Sequence, residues 1–302
     1  MKRIVGIVPL AKRHSIHNKL WDDGLIDVRE GLNAIQAAIV ECASVGCDSI
    51  WVNADYEQIP LLKRLVGSWV EDPTWFYRKH DPKPKTSKKL IPIFYSWNHQ
   101  KDVGRRDSHG WGILNAATVA CKVANNVSRH LVPELFYVSS PFAITDIWQP
   151  KHLRTEIKTS DRFCFSYNGE TFLDNKMLSF VFNRDDLLAA RKNVRQKGTG
   201  MKFFPDGFEN EPVFLPIEER WSARFFEIGD IFSFLTKKDF QVQETEVYYP
   251  IDSWEGYVDY MRSDLPTKPF KSKYFYNRGM ERIRGYERNG PEPDYSQSEE
   301  DE

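Results

Sequence analysis

Apolar and polar positions follow two periods along the first half of the chain. Ile4-Val5-Gly6-Ile7-Val8-Pro9 is a short apolar run with the length of a buried strand. A polar, basic stretch follows, Ala11-Lys12-Arg13-His14-Ser15-Ile16-His17-Asn18-Lys19. Residues 29–46 then place apolar side chains at Leu32, Ile35, Ala38, Ile39 and Cys42, a helical stripe that Gly46 is suited to stop. Residues 49–53 read as a second strand, 59–66 as a second helix and 90–95 as a third strand. Residues 108–126 read as a helix opened by a polar cap, and 135–139 as a fourth strand closed by Ser140-Pro141. The Pro- and Lys-rich stretch 72–90 reads as an exposed loop. Strands separated by helices predict a parallel sheet.

The alternation weakens after residue 150. Strands are expected over 163–167 and 177–182, a helix over 184–195, and irregular chain over the Gly/Pro-rich stretch 198–215. Residues 225–235 look helical, 241–249 alternate like a strand, and 253–262 form a short helix. No repeat is apparent. The expectation is an α/β fold with a mostly parallel sheet and a less regular α+β C-terminal portion. One domain would span 1–262, with an insertion at about 150–240. Residues 263–302 would form a basic extension and a disordered acidic tail.

Composition narrows the class. With 302 residues, 41% hydrophobic and 28% charged, the chain is globular rather than disordered. No run of about 18 apolar residues exists, so no membrane partner is expected. The first residues are too short an apolar run for a signal peptide, and a cytoplasmic protein is expected. Cys42, Cys47, Cys121 and Cys164 show no paired spacing and read as free thiols. His14 and His17 have no Cys pair to complete a zinc set. The net charge of −1 conceals a division: residues 291–302 hold six acids and no base, which leaves a body of +5. Stretches 78–106 (+7) and 262–290 (+5) would attract phosphate or nucleic acid. A solvated basic surface is the alternative.

In an open parallel sheet, ligands bind beyond the carboxyl ends of the strands. That rule selects the segment after the first strand, the Asn53-Ala54-Asp55 turn, the loop 95–108, and residues 139–145. Lys12, Arg13 and Lys19 in the first of these could hold a triphosphate and neutralise charge on leaving pyrophosphate. The segment has no glycine, so it is neither a Walker loop nor a dinucleotide fingerprint. Gly104-Arg105-Arg106-Asp107-Ser108-His109-Gly110-Trp111-Gly112 combines two cations with a helix start whose N–H groups would face an anion. Asp252, in Tyr249-Pro250-Ile251-Asp252-Ser253-Trp254-Glu255, either holds Mg²⁺ or caps a helix.

In this order, these elements resemble the sugar-nucleotidyltransferase superfamily with its Rossmann-like GT-A fold, particularly its cytidylyltransferase-like members. Residues carrying the likeness are Ile7-Val8-Pro9-Leu10-Ala11-Lys12-Arg13, then Lys19-Leu20, Gly31-Leu32-Asn33-Ala34-Ile35-Gln36-Ala37-Ala38-Ile39, and Gly46-Cys47-Asp48-Ser49-Ile50-Trp51-Val52. Arg106-Asp107-Ser108-His109-Gly110-Trp111 and Ile251-Asp252-Ser253-Trp254-Glu255 complete it. The resemblance implies a three-layer sandwich and a Mg²⁺-dependent enzyme. That enzyme would move a nucleotidyl group from an NTP to a sugar phosphate or similar small phosphorylated acceptor. It implies catalytic Lys12, Arg13 and Lys19, a nucleotide site of Pro9, Leu10, Ala11, Asn53, Arg105, Arg106, Asp107 and Ser108, and Asp252 as metal ligand. The family's carboxylate after the fourth strand is replaced here by Ser139-Ser140-Pro141-Phe142, with Asp146 a turn later.

Two other readings stay open. Glycosyl transfer from a sugar nucleotide fits the same fold, but the chain has no Asp-x-Asp. A non-catalytic transferase fold could bind protein or nucleic acid, with Lys271-Ser272-Lys273-Tyr274-Phe275-Tyr276 either stacking bases or packing inside the protein.

Overall fold

Ile4–Pro9 (β1) carries no polar side chain, and all of its residues are buried. A strand buried on both faces needs a cover on each. The computed structural model has both covers; it describes residues 2–10, 23–73, 89–99, 108–145, 153–198, 201–202, 213–214, 227–267 and 275–276. The other strands of the main sheet are Ser49–Asn53 (β2), Trp69–Glu71 (β3), Leu90–Ser96 (β4), Leu135–Val138 (β5), Phe163–Ser166 (β6), Phe180–Asn183 (β7), Gln241–Glu244 (β8) and Phe275–Tyr276 (β9). Their spatial order is β8-β6-β7-β5-β1-β2-β4-β3-β9. The central four, β5-β1-β2-β4, are parallel. Only β7 and β3 run against the rest of the sheet. The expected α/β fold with a mostly parallel sheet is the observed one.

The helices are Ala34–Val45 (α1), Ile59–Leu65 (α2), His109–Val127 (α3), Leu153–Thr159 (α4), Arg184–Gly198 (α5), Ile228–Ile231 (α6) and Trp254–Arg262 (α7). Alternation along the strands sorts them into layers. Ile4, Val8, Ile50, Val52 and Tyr137 face a core shared with α1, α2 and α4. Val5, Ile7, Trp51, Phe136 and Phe182 face one shared with α3, α5 and α6. A third cluster joins Val28, Leu32, Ile144, Ile251 and Tyr260 beneath α7.

Several boundaries differ from the sequence expectation. The helix expected over 29–46 begins at Ala34, because Asn33 and Gln36 form a reciprocal capping box. Leu32 precedes the helix, belongs to a short hairpin, Asp27–Arg29 with Leu32–Asn33, and packs in the third cluster. β3 and α4 were not expected. The strand expected over 177–182 starts at Phe180, and among the described residues of the helix expected over 225–235 only Ile228–Ile231 is α-helical. The strand expected over 241–249 divides in two: β8 joins the main sheet, while Tyr248–Pro250 pairs with Ala143–Thr145. Of the aromatic, basic segment 271–276, Phe275–Tyr276 form an edge strand against Trp69 and Val70, and the remainder lies outside the described residues, as does the acidic tail. The four cysteines are free thiols, with Cys42, Cys47 and Cys164 buried.

Buried polar groups lie at the C-terminus of α1 and on its sheet side. Its C-terminus ends on Gly46 at φ +95°, and a Cβ there would lie 2.2 Å from the Arg154 guanidinium carbon. That guanidinium in turn lies 3.3 Å from buried Asp72. On the sheet side of α1, buried Glu41 accepts hydrogen bonds from the Tyr137 hydroxyl (2.6 Å) and the Ser179 hydroxyl. Burial pushes the Glu41 carboxyl above the usual carboxylate range, against the lowering effect of those hydroxyls.

Two outcomes are expected. Gly46→Ala combines a left-handed backbone with a blocked Cβ and should cost about 1–3 kcal/mol or more, read from urea unfolding. Folded Glu41 holds its proton to higher pH than the unfolded chain does. Its contribution to stability therefore falls as pH rises above the usual carboxylate range. The difference in melting temperature between Glu41→Gln and the parent should shift in the variant's favour from acid to neutral pH.

Candidate functional site

Parallel pairing aligns the strand ends. Pro9 lies opposite Asn53, Asn53 opposite Ser96, and Ile7 opposite Val138. Backbone bonds continue the alignment past the strands: Leu10 N to Asn53 O (2.7 Å), Ala54 N to Ser96 O (3.0 Å), and Ser139 N to Ile7 O (3.0 Å). The four places selected by the carboxyl-end rule thus share one edge of the sheet.

Polar side chains are buried along that edge. Asn53 is 1% exposed, and its side-chain amide donates to the Ser96 hydroxyl at 3.2 Å. Ser96, Asn98, Ser139 and Ser140 are buried as well. The first half of α3 crosses above this row. Ser108 caps the helix as expected, its hydroxyl accepting from Trp111 N (3.2 Å). The next residue, His109, sets its ring edge-on to Phe142 beyond β5, with centroids 5.5 Å apart. Asn115, further along α3, donates its side-chain amide to the Trp97 carbonyl beyond β4 (3.0 Å).

The Asp252 turn reaches the same edge by a separate route. Tyr248–Pro250 runs antiparallel to Ala143–Thr145, and Ile251 N donates to Phe142 O at 2.9 Å. Asp252 follows directly, beside the segment that leaves β5. It does not cap α7; Ser253 does, accepting from Gly256 N at 3.1 Å. Helix α7 is also tied to the hairpin that follows the basic segment. Tyr257 and Tyr260 donate their hydroxyls to the carbonyls of Asp27 (2.8 Å) and Val28 (2.7 Å). Burial raises the pKa of both phenols, so they remain donors at neutral pH.

Of the expected site residues, Pro9, Leu10 and Asn53 meet at the ends of β1 and β2. Ser108 opens the helix above them, and Asp252 adjoins the exit of β5. Ala11, Lys12, Arg13, Lys19, Arg105, Arg106 and Asp107 lie outside the described residues, as does Asp146. Among the described residues, no three His, Cys, Asp or Glu side chains cluster as a metal cage. A single carboxylate still suits Mg²⁺, which takes most of its ligands from water and substrate phosphates. The sequence reading did not single out Ser96, Asn98, Tyr56 or Trp97. The signal for Ser96, Trp97 and Asn98 was the polar–aromatic alternation Tyr95-Ser96-Trp97-Asn98, which carries the strand period past the end of β4.

No protein-family model matches the chain, and no curated protein matches it. Solved structures do. A protein described as a glucose-1-phosphate thymidylyltransferase from Bacillus anthracis, solved with sucrose, superposes with a TM-score of 0.53 at 9% identity, over 90% of this chain and 97% of that one. A 4-diphosphocytidyl-2C-methyl-D-erythritol synthase from Anaerococcus prevotii matches at 0.46 and 9%, over 86% of this chain and 94% of that one. A nucleoside-diphosphate-sugar pyrophosphorylase from Vibrio cholerae matches at 0.46 and 10%, over 86% and 100%. At such identities the shared property is the fold, and the first structure carries that comparison. No described helix is long and apolar enough to cross a membrane.

Gly256 fixes the Asp252 turn. A Cβ there would fall 1.8 Å from the Pro250 carbonyl oxygen, so any side chain must push α7 away from the turn. Gly256→Ala should destabilise the protein by about 1–3 kcal/mol. Hydrogen exchange should show the added opening concentrated at 248–262, with β1 and β2 unaffected.

Proposed function

We propose that the chain is a nucleotidyltransferase that moves a nucleotidyl group from an NTP to a sugar phosphate or similar phosphorylated acceptor and releases pyrophosphate. Its working unit is residues 1–262. The observation that carries this reading is the Ile251–Phe142 hydrogen bond, which seats Asp252 beside the exit of β5 on the edge where Pro9, Asn53 and Ser96 align. The fold shared with the thymidylyltransferase structure supports it.

An acceptor phosphate oxygen attacks the α-phosphorus, the bond to the bridging oxygen breaks, and pyrophosphate leaves. Little covalent chemistry falls to the protein, so catalysis rests on positioning and charge neutralisation. Lys12, Arg13 and Lys19 hold the phosphates and neutralise the leaving group. Pro9, Leu10, Ala11 and Asn53 line the nucleotide, and Arg105, Arg106, Asp107 and Ser108 contact it at the start of α3. Asp252 would hold Mg²⁺, which supplies further neutralisation of the triphosphate when bound. Without a carboxylate in Ser139-Ser140-Pro141-Phe142, Asp252 would be the principal protein ligand.

Pyrophosphate release, measured with each NTP, Mg²⁺ and a panel of sugar phosphates, tests the reading. Activity is expected with at least one pair. Asp252→Asn and Lys19→Ala should each lower it about 100-fold. Asp252→Asn should leave metal-free NTP binding unchanged. Calorimetry that detects no binding of any NTP in the presence of Mg²⁺ would sink the proposal.

A further inference from the structure

Helix α5 turns one face to the core and the opposite face to water. Leu187, Ala190 and Val194 are buried beneath it, and Asn183 and Asp186 cap its start reciprocally. The outer face carries Arg184, Leu188, Arg191 and Arg195, at i, i+4, i+7 and i+11, and all four are exposed. At 1.5 Å per residue, the three arginines form a straight row about 16 Å long. Exposed Lys192 stands beside them.

Little on this surface offsets the charge. Arg162 finds a carboxylate in buried Asp186 at 2.8 Å, but among the described residues Arg184, Arg191 and Arg195 form no ion pair. The nearby acids lie at one end of the row: Asp185 in the first turn of α5, and Glu134 just before β5, whose first residue pairs with Asn183. Neighbouring α3 contains no Asp or Glu. Burial raises the pKa of the Cys121 thiol on α3, and Arg184 and Arg191 draw it back down, so the field of both guanidiniums reaches that helix.

A row of guanidiniums on a rigid helix selects the chemistry of its partner. Guanidinium is weakly hydrated and its fork of donors matches phosphate oxygens. One strand of a duplex carries a phosphate about every 3.4 Å of axis, so a row about 16 Å long faces about five of them. A folded protein partner would need an apolar centre to bury, and Leu188 is the single apolar side chain in the row.

We propose that the Arg184, Arg191 and Arg195 face of α5 binds the phosphate backbone of a nucleic acid without reading its sequence. The contact uses none of the residues placed in the nucleotide site, so it stands apart from the nucleotidyltransferase reading. Helix α5 also starts at the sheet edge opposite Asp252, because β7 runs against β5.

The experiment is fluorescence anisotropy of the full chain with a labelled DNA duplex of about 20 base pairs and an RNA strand of similar length, over about 50–200 mM salt. The parent should bind both, more weakly as salt rises. Arg184→Ala, Arg191→Ala and Arg195→Ala combined should flatten the plot of log binding constant against log salt by about 2.7 on the duplex and about 2.1 on the single strand. Arg191→Ala alone should flatten the duplex plot by about 0.9. Arg184→Lys, Arg191→Lys and Arg195→Lys combined should keep the parent's slope. NTP binding should be unchanged in every variant. A parent that binds neither probe at the lowest salt overturns the proposal. An alanine triple variant with the parent's slope also overturns it. So does a parent that binds a poly-glutamate peptide in preference to both nucleic acids, which would make the face a dock for an acidic protein.

Discussion

Parallel pairing of β5, β1, β2 and β4 is the constraint on which the rest of the molecule depends. Parallel neighbours cannot be joined by a tight turn, so the chain must cross back along the sheet between them. The crossovers cover both faces, which is why Ile4, Val5, Ile7 and Val8 are all buried. The same geometry sends every central strand out at one edge. Segments far apart in the chain therefore meet there, and the edge carries a row of buried polar side chains, Asn53, Ser96, Ser139 and Ser140.

A second constraint is local. Asp252 reaches that edge on a three-residue strand outside the main sheet. Its position depends on the antiparallel register with Ala143–Thr145, on the Ser253 cap and on close backbone contact at Gly256. The tyrosines of α7 reach across to the hairpin at 27–33. The acidic turn and the hairpin after the basic segment are therefore parts of one packed unit, clustered around Ile251, Tyr260 and Val28.

The sequence was most legible where local chemistry decides the structure. Strands β1, β2, β4 and β5 are apolar runs, and Gly46 and Ser108 are the cap residues their positions suggested. It was least legible where distant contacts decide. Leu32 fits a helical stripe, yet Asn33 caps the helix one residue later and Leu32 packs beneath α7. Residues 241–249 read as one strand, yet the Thr245 hydroxyl bonds to both the N–H and the carbonyl of Val247 and turns the chain from one sheet to another. Asp252 was legible as a candidate; its neighbour Phe142 was not, because that pairing spans more than a hundred residues. Trp97 read as part of a loop, although the alternation Tyr95-Ser96-Trp97-Asn98 carries the strand period past the last residue of β4.

The far edge of the sheet is closed in a different manner from its centre. β8 is only four residues long, Gln241-Val242-Gln243-Glu244, and every one of them is exposed. Its inner side is spoken for: it pairs with β6, and Glu244 accepts from the Ser166 hydroxyl. The outer row of backbone groups is thus offered to solvent by a short, polar, partly charged strand, a poor template for a strand from another molecule. A sheet this wide would otherwise invite edge-to-edge growth, and β8 caps it with side chains that favour water over a second chain.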